Sequence, residues 1–253
     1  MAALTNKRGI FSLLDVRERQ STGNWSVKSD VWLSTPSGSG LINFGTGVKS
    51  TPQTGYFGGG FPGPVQYSPV STVNRIDYSN DTATASPKGP LSLARYGLAA
   101  TGNSSFGYFG GGSPLVSTVD RIDYSSDTAT ASPKGPLSLA RYGLAATGNS
   151  SFGYFGGGYA PSSYRSTVDR IDYSNDTATA SPKGPLSDAR YQLAATGNSS
   201  FGYFGGGTPI PSVSTVNRID YSNDTATASP KGPLSSARYS LAATSARANG
   251  SPQ

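Results

Sequence analysis

Four arginines, Arg95, Arg141, Arg190 and Arg238, each precede a tyrosine, and four lysines, Lys88, Lys134, Lys183 and Lys231, each sit between a proline and a glycine. Aspartates recur near them, as Asp77 and Asp81 do in RIDYSND. Side chains of these types could hold a divalent cation through several carboxylate oxygens. They could also flank a phosphate at the FGGG runs, or activate one of the many serines. The spacing supports none of the three. A phosphate cradle needs its Gly-rich turn to open a helix, whereas each FGGG here leads into another extended segment. A serine nucleophile needs a base beside it, yet the chain has no His and no Cys, and lysines in Pro-Gly turns are expected to be solvated. Asp77 and Asp81 read as turn caps and arginine partners, and the four arginines as bridges between neighbouring sheets, hydrogen-bonded to carbonyls. No catalytic residue, cofactor or metal site is expected, and the chain is not expected to be an enzyme. Asn103, Asn149 and Asn198 open Asn-Ser-Ser tripeptides that suit hairpin turns as well as glycosylation.

Stepping outward from these residues, composition favours strands and turns. The 253 residues include 33 Gly, 18 Pro, 15 Tyr and 10 Phe, a mixture that fits half-buried strands joined by many turns. The formal charge is +6, from 20 basic and 14 acidic residues, and the basic residues are dispersed rather than clustered, so nucleic acid is not an expected partner. No apolar run is long enough to span a bilayer, and the N-terminal residues do not read as a signal peptide.

Internal repetition is the strongest signal. The segment STVNRIDYSNDTATASPKGPLSLARYGLAATGNSSFGYFGGG begins at Ser71 and recurs from Ser117, Ser166 and Ser214, at spacings of 46, 49 and 48 residues. That period suits a four-stranded unit of the kind found in propeller blades. Within one repeat the expected strands are residues 95–101 (RYGLAAT), 106–110 (FGYFG), 72–78 (TVNRIDY) and 82–86 (TATAS), with SPKGPLS read as a turn. The first copy enters at its second strand, near Gly55, and the last ends on its first strand, residues 241–244. One blade is thus split between the two ends of the repeat array, which would close a four-bladed ring and leave no open edge.

Three motifs recur in a fixed order: an arginine with LAAT, then Gly107-Tyr108-Phe109-Gly110-Gly111, then Arg121-Ile122-Asp123-Tyr124. In this the chain resembles the kelch family, departing from it in having Thr and Ala where a Trp is expected on the fourth strand. The resemblance covers residues 54 to 244 and implies an all-β, kelch-like β-propeller, to which the count of copies gives four four-stranded blades with split-blade closure, fewer blades than the family usually has. An eight-bladed ring from two chains and an open stack are the alternatives. The domains expected are an N-terminal arm (1–53), the four-repeat propeller (54–244) and a C-terminal tail (245–253). The arm stretch GIFSLLDVRERQSTGNW, followed by GYFGGG and STVDRIDYSNDTATA repeats, is also similar to structural proteins of tailed bacteriophages, notably marine and cyanobacterial ones. That similarity implies a tail-associated virion protein made in the host cytoplasm.

The copies differ mainly after each GGG and beside each Arg-Tyr. In an up-and-down blade those two places share one face of the ring, so a ligand face is expected from Phe61, Gln66, Tyr67, Leu115, Tyr159, Tyr164, Arg165, Asp188, Gln192 and Ile210. Its Tyr, Ser and Pro content resembles that of antibody loops, where rigid aromatics supply contact area. A host-surface glycan or protein is the expected ligand. The alternatives are a decoration or scaffold piece without a receptor role, an intracellular kelch-type interaction module, and least of all a glycan-cleaving enzyme. Phe11, Leu13, Leu14, Trp25 and Trp32 give the arm too much apolar surface to stay bare. They are expected to anchor the chain to other virion proteins or to pack beneath the propeller, and a homo-oligomer stays open.

Overall fold

The computed structural model describes residues 31–34, 41–44, 54–63, 68–209 and 211–245. The chain forms two compact units, Met1–Ser50 and Thr51–Gln253. Within the first, β1 (Val31–Ser34) and β2 (Leu41–Phe44) pair antiparallel, Val31 opposite Phe44 and Trp32 opposite Asn43. Phe11, Leu13, Leu14 and Trp25 lie outside the described residues. No helix among the described residues is long and apolar enough to cross a membrane.

The described residues of the second unit form strands, turns and two short 3-10 turns. Sheet I holds β3 (Thr54–Gly58), β4 (Val73–Asp77) and β5 (Ser86–Lys88). Sheet II holds β6 (Ala99–Gly102), β7 (Phe106–Gly110), β8 (Val119–Asp123) and β9 (Ser132–Lys134). Sheet III is formed by β10 (Ala145–Gly148), β11 (Phe152–Gly156), β14 (Val168–Asp172) and β15 (Ser181–Lys183), with a separate hairpin of β12 (Tyr159–Ala160) and β13 (Ser163–Tyr164) between its second and third strands. Sheet IV holds β16 (Ala194–Gly197), β17 (Phe201–Gly205), β18 (Val216–Asp220) and β19 (Ser229–Lys231). In every sheet the strands lie in chain order and pair antiparallel, and β10 packs between β6 and β16.

The second and third strands fall where the sequence places them, but the other two do not. The fourth strand is Ser-Pro-Lys, beginning at the last residue of TATAS, and the TATA before it is turn and irregular chain. A proline suits this place because the strand is the edge of its sheet, where no partner needs its missing N–H. TATAS is instead held against the preceding repeat, Ala131 N–H donating to the Pro90 carbonyl at 2.8 Å. The first strand is short, starting at Ala99 rather than Arg95, because the Arg-Tyr segment turns away through a residue of positive φ.

Neighbouring sheets join by one repeated set of contacts. Side chains alternate across a strand, so in FGYFG the second Phe faces the repeat before and the Tyr faces the repeat after. Phe109, Phe155 and Phe204 lie against the glycines Gly58, Gly110 and Gly156 of the preceding sheet. Rings stack at 4.7–4.9 Å between Tyr56 and Tyr124, Tyr108 and Tyr173, and Tyr154 and Tyr221. Arg75, Arg121 and Arg170 each reach an aspartate of the next repeat, Asp127, Asp176 and Asp224, at 2.7 Å. Tyr56, Tyr108 and Tyr154 donate to the same carboxylates at 2.8–2.9 Å.

Among the described residues no strand completes the split blade. Residues 241–244 form no strand, β3 pairs only with β4, and Phe57 is 64% exposed although its counterparts are buried. The three junctions repeat the same contacts, and among the described residues no corresponding set joins sheet IV to sheet I: nothing lies within 4 Å of a Cβ placed at Gly232.

Two predictions arise from the junctions. A Cβ at Gly184 would lie 1.8 Å from the Ala226 carbonyl oxygen, a backbone atom of the next repeat. Gly184→Ala should therefore cost about 3 kcal/mol, read as a fall in denaturation midpoint. The second concerns pH. Burial alone would raise the Asp127 carboxyl, but hydrogen bonds from Tyr56 and Lys88 and the charge of Arg75 outweigh it and hold the group below its ordinary 3.8. A depressed carboxylate contributes stability that is whole above the unfolded value and is lost as pH falls through the folded one. At the alkaline end, desolvation pushes the Tyr124 and Tyr221 phenols up to about 12, so their contribution is lost as pH rises from 10 towards 12. Thermal midpoints should form a plateau falling at both ends, with Asp127→Asn flattening the acid limb and part of the tyrosine absorbance titrating only near 12.

Candidate functional site

The Arg-Tyr segment and the loop after each second strand meet, as the strand alternation requires. Tyr96 bridges to Ser113, Tyr142 to Tyr159 and Tyr191 to Thr208 through paired backbone hydrogen bonds of 2.8–3.1 Å. This places six aromatic rings in one connected surface. Phe61 tilts against Tyr96 at 4.5 Å, and Tyr96 and Tyr191 flank Tyr142 at 6.3 Å each. The β12–β13 hairpin then lays Tyr159 against Tyr142 at 5.6 Å and stacks Tyr164 on Tyr191 at 5.1 Å, nearly parallel. The hairpin turns at Ser162, whose φ of 72° lies in the left-handed region. All five tyrosines are half-buried and Phe61 is exposed, so ring faces are fixed by their neighbours yet reachable from solvent. Desolvation, with the neighbouring phenols adding to it, raises the Tyr142 hydroxyl above its ordinary value, keeping it a neutral hydrogen-bond donor.

Buried arginines set these tyrosines in place. Arg95, Arg141 and Arg190 are fully buried. Their guanidinium groups donate to the carbonyls of Phe109, Phe155 and Phe204 at 3.0–3.1 Å. Arg95 and Arg141 also pair with Asp120 and Asp169 at 2.9 Å, and Arg190 donates to the Asn217 side-chain oxygen at 2.7 Å. Those partners belong to the sheet whose first strand the arginine precedes, which corrects the expectation of bridges between neighbouring sheets. The inter-repeat bridges are Arg75, Arg121 and Arg170. Burial lowers the affinity of Arg95 and Arg141 for their proton while the facing carboxylates oppose that shift. Of the two aspartates in RIDYSND, the first caps its turn, as Asp77 does by accepting from Ser79 N–H at 2.9 Å, and the second is the inter-repeat acceptor in the later copies.

Of the residues expected on a ligand face, Phe61, Tyr159 and Tyr164 join the aromatic surface. Leu115 and Arg165 are half-buried and Asp188 is exposed, accepting from Ser187 Oγ at 2.7 Å. Gln192 has φ 53° and donates its N–H to the Gly143 carbonyl at 2.7 Å, so its backbone is structural. Gln66, Tyr67 and Ile210 lie outside the described residues. Variation between copies led past Tyr96, Tyr142 and Tyr191, which are constant and supply half of the surface; the visible signal was a Tyr always beside the variable positions. No group of three or more metal-ligating side chains occurs among the described residues.

Truncating a buried partner distinguishes the two members of the pair. Arg141→Met leaves the Asp169 carboxylate buried and uncompensated and should cost about 3–5 kcal/mol. Asp169→Asn should cost only about 1 kcal/mol, because the fourth repeat already carries Asn217 at that place. Denaturant midpoints of the two variants check this. No protein-family model matches the chain, and no curated protein matches it.

Proposed function

We propose that this chain is a non-enzymatic recognition module, with kelch-like propeller blades, carried on a bacteriophage virion and binding a host-surface glycan or protein through its aromatic face. The observation that carries the reading is the six-ring surface of Phe61, Tyr96, Tyr142, Tyr159, Tyr164 and Tyr191. Exposed ring faces beside phenol hydroxyls bind the apolar faces and hydroxyls of sugars, or extended peptide, at little cost in side-chain entropy. Blade-like sheets, with strands in chain order and first strands adjacent, support the propeller assignment. The likeness of the arm and repeats to tail-associated phage proteins supports the virion setting, with residues 1–53 as the anchoring segment.

The experiment is adsorption of the purified protein to whole host cells, alongside its melting temperature. Tyr159→Ala and Tyr164→Ala remove loop rings and should each weaken adsorption about tenfold, the loss of roughly 1–2 kcal/mol of contact. Replacing residues 159–165 with a short Gly-Ser turn should abolish most adsorption while moving the melting temperature little. Unchanged adsorption at unchanged stability would remove the recognition role and leave a decoration protein.

A further inference from the structure

The two ends of the repeat array are the two halves of one more junction. On sheet IV, Tyr203, Arg218 and Lys231 occupy the places from which Tyr154, Arg170 and Lys183 reach Asp224, and among the described residues they meet no carboxylate of a following repeat. The Arg218 guanidinium is already held over the Phe201 ring at 4.4 Å, as Arg170 is over Phe152 at 4.3 Å. On sheet I, Asp81 stands where Asp127, Asp176 and Asp224 stand in the other copies, and it is exposed while those three are buried. Phe57 and Tyr78, counterparts of rings that cover the preceding sheet, are 64% and 56% exposed.

The glycines give the same answer from steric fit. A Cβ at Gly89, Gly135 or Gly184 would strike the backbone of the next repeat at 1.8 Å, whereas nothing lies within 4 Å of one at Gly232. Residues 235–244 also follow the pattern of the earlier first-strand segments. Gly207 N–H donates to the Arg238 carbonyl at 2.9 Å, as Gly158 does to Arg190, and Leu241 covers Gly206 as Leu193 covers Gly157. Yet Arg238 is exposed where Arg95, Arg141 and Arg190 are fully buried. The partner it lacks corresponds to Asn74 in β4, since Asn217 is the partner of Arg190.

We propose that a second copy of this chain supplies the missing half. The fourth sheet of one copy packs on the first sheet of the next, and residues 241–244 of the first copy become the first strand that sheet I lacks beside β3. In this junction Tyr203, Arg218 and Lys231 converge on the next copy's Asp81, Tyr203 stacks on its Tyr78, its Phe57 covers Gly205, and Arg238 is buried against its Asn74. Both charge and shape are complementary, because each group is a sequence copy of one that already makes that contact three times, or once for the arginine–asparagine pair. The chain's own first sheet does not fill this place, since Gly232 has no neighbour within 4 Å and Phe57 and Tyr78 stay exposed. The contact is head-to-tail, so it closes into a ring of few copies or continues as a filament.

The test is the mass of the full-length chain in solution, by sedimentation across a range of concentrations. The wild-type protein should sediment as a dimer or larger. Asp81→Arg and Arg218→Asp each place like charges at the junction and should raise the concentration of half-dissociation by roughly thirtyfold or more. Mixed in equal amounts, the two variants should form a hetero-pair, because the Asp81→Arg chain keeps a normal fourth sheet and the Arg218→Asp chain a normal first sheet. Gly232→Ala should dissociate the assembly too, with the circular dichroism of the chain unchanged. A wild-type chain that stays monomeric at all concentrations overturns the proposal, including the case in which Asp81→Arg lowers its melting temperature by breaking a ring closed within one chain. An oligomer that survives Asp81→Arg, Arg218→Asp and Gly232→Ala overturns it equally, since its interface is then elsewhere.

Discussion

A phenylalanine ring laid on a glycine of the preceding repeat is the contact from which the rest of the second unit follows. Phe109, Phe155 and Phe204 are 0–5% exposed, and each can lie so close only because the strand opposite has no Cβ there. The close approach brings the flanking tyrosines into stacking range and sets the next repeat's aspartate within reach of an arginine, a lysine and a phenol. Buried polar groups in such a place are costly unless all are satisfied. Here apolar contact fixes the spacing and the polar groups fix the register, so neither can shift without the other.

Because each sheet touches its sequence neighbours, stability in this unit is close to a sum of repeat terms and nearest-neighbour terms. Interior sheets II and III have both faces covered, while I and IV have one each. The burial pattern follows that distinction rather than the sequence: the same Tyr is 9% exposed as Tyr173 in the third repeat and 56% exposed as Tyr78 in the first. The aromatic surface sits across the junctions, since Tyr96, Tyr142 and Tyr191 come from successive repeats. A ligand bound there would contact several repeats at once and would be sensitive to their relative setting.

Much of this was legible from residues 54–244 because the repeats sample the same environment several times over. The alternation in FGYFG and TVDRID marks two strands without ambiguity, and up-and-down topology is enough to bring the variable loops beside Arg-Tyr. What could not be read is where local preference and tertiary setting disagree. Ser-Pro-Lys has the composition of a turn and becomes a strand because its edge needs no donor, while TATAS has strand composition and is drawn into contact with the neighbouring repeat. The buried Arg95–Asp120 pair joins residues 25 apart across one sheet, a relation that sequence order conceals. Closure was also beyond reach, since it depends on whether residues 241–244 pair with β3, which repetition alone does not decide.

Gly97, Gly143, Gln192 and Ser240, all at positive φ, are joined in series: Gly143 N–H donates to the Gly97 carbonyl, Gln192 to Gly143 and Ser240 to Gln192, at 2.7–2.8 Å. Each residue in this row donates to the one before it and accepts from the one after it, so the array has a direction. It begins with an N–H at Gly97 and ends with a carbonyl at Ser240. Whatever extends it must present a donor at one end or an acceptor at the other, which makes the stack vectorial and makes reversed addition electrostatically mismatched.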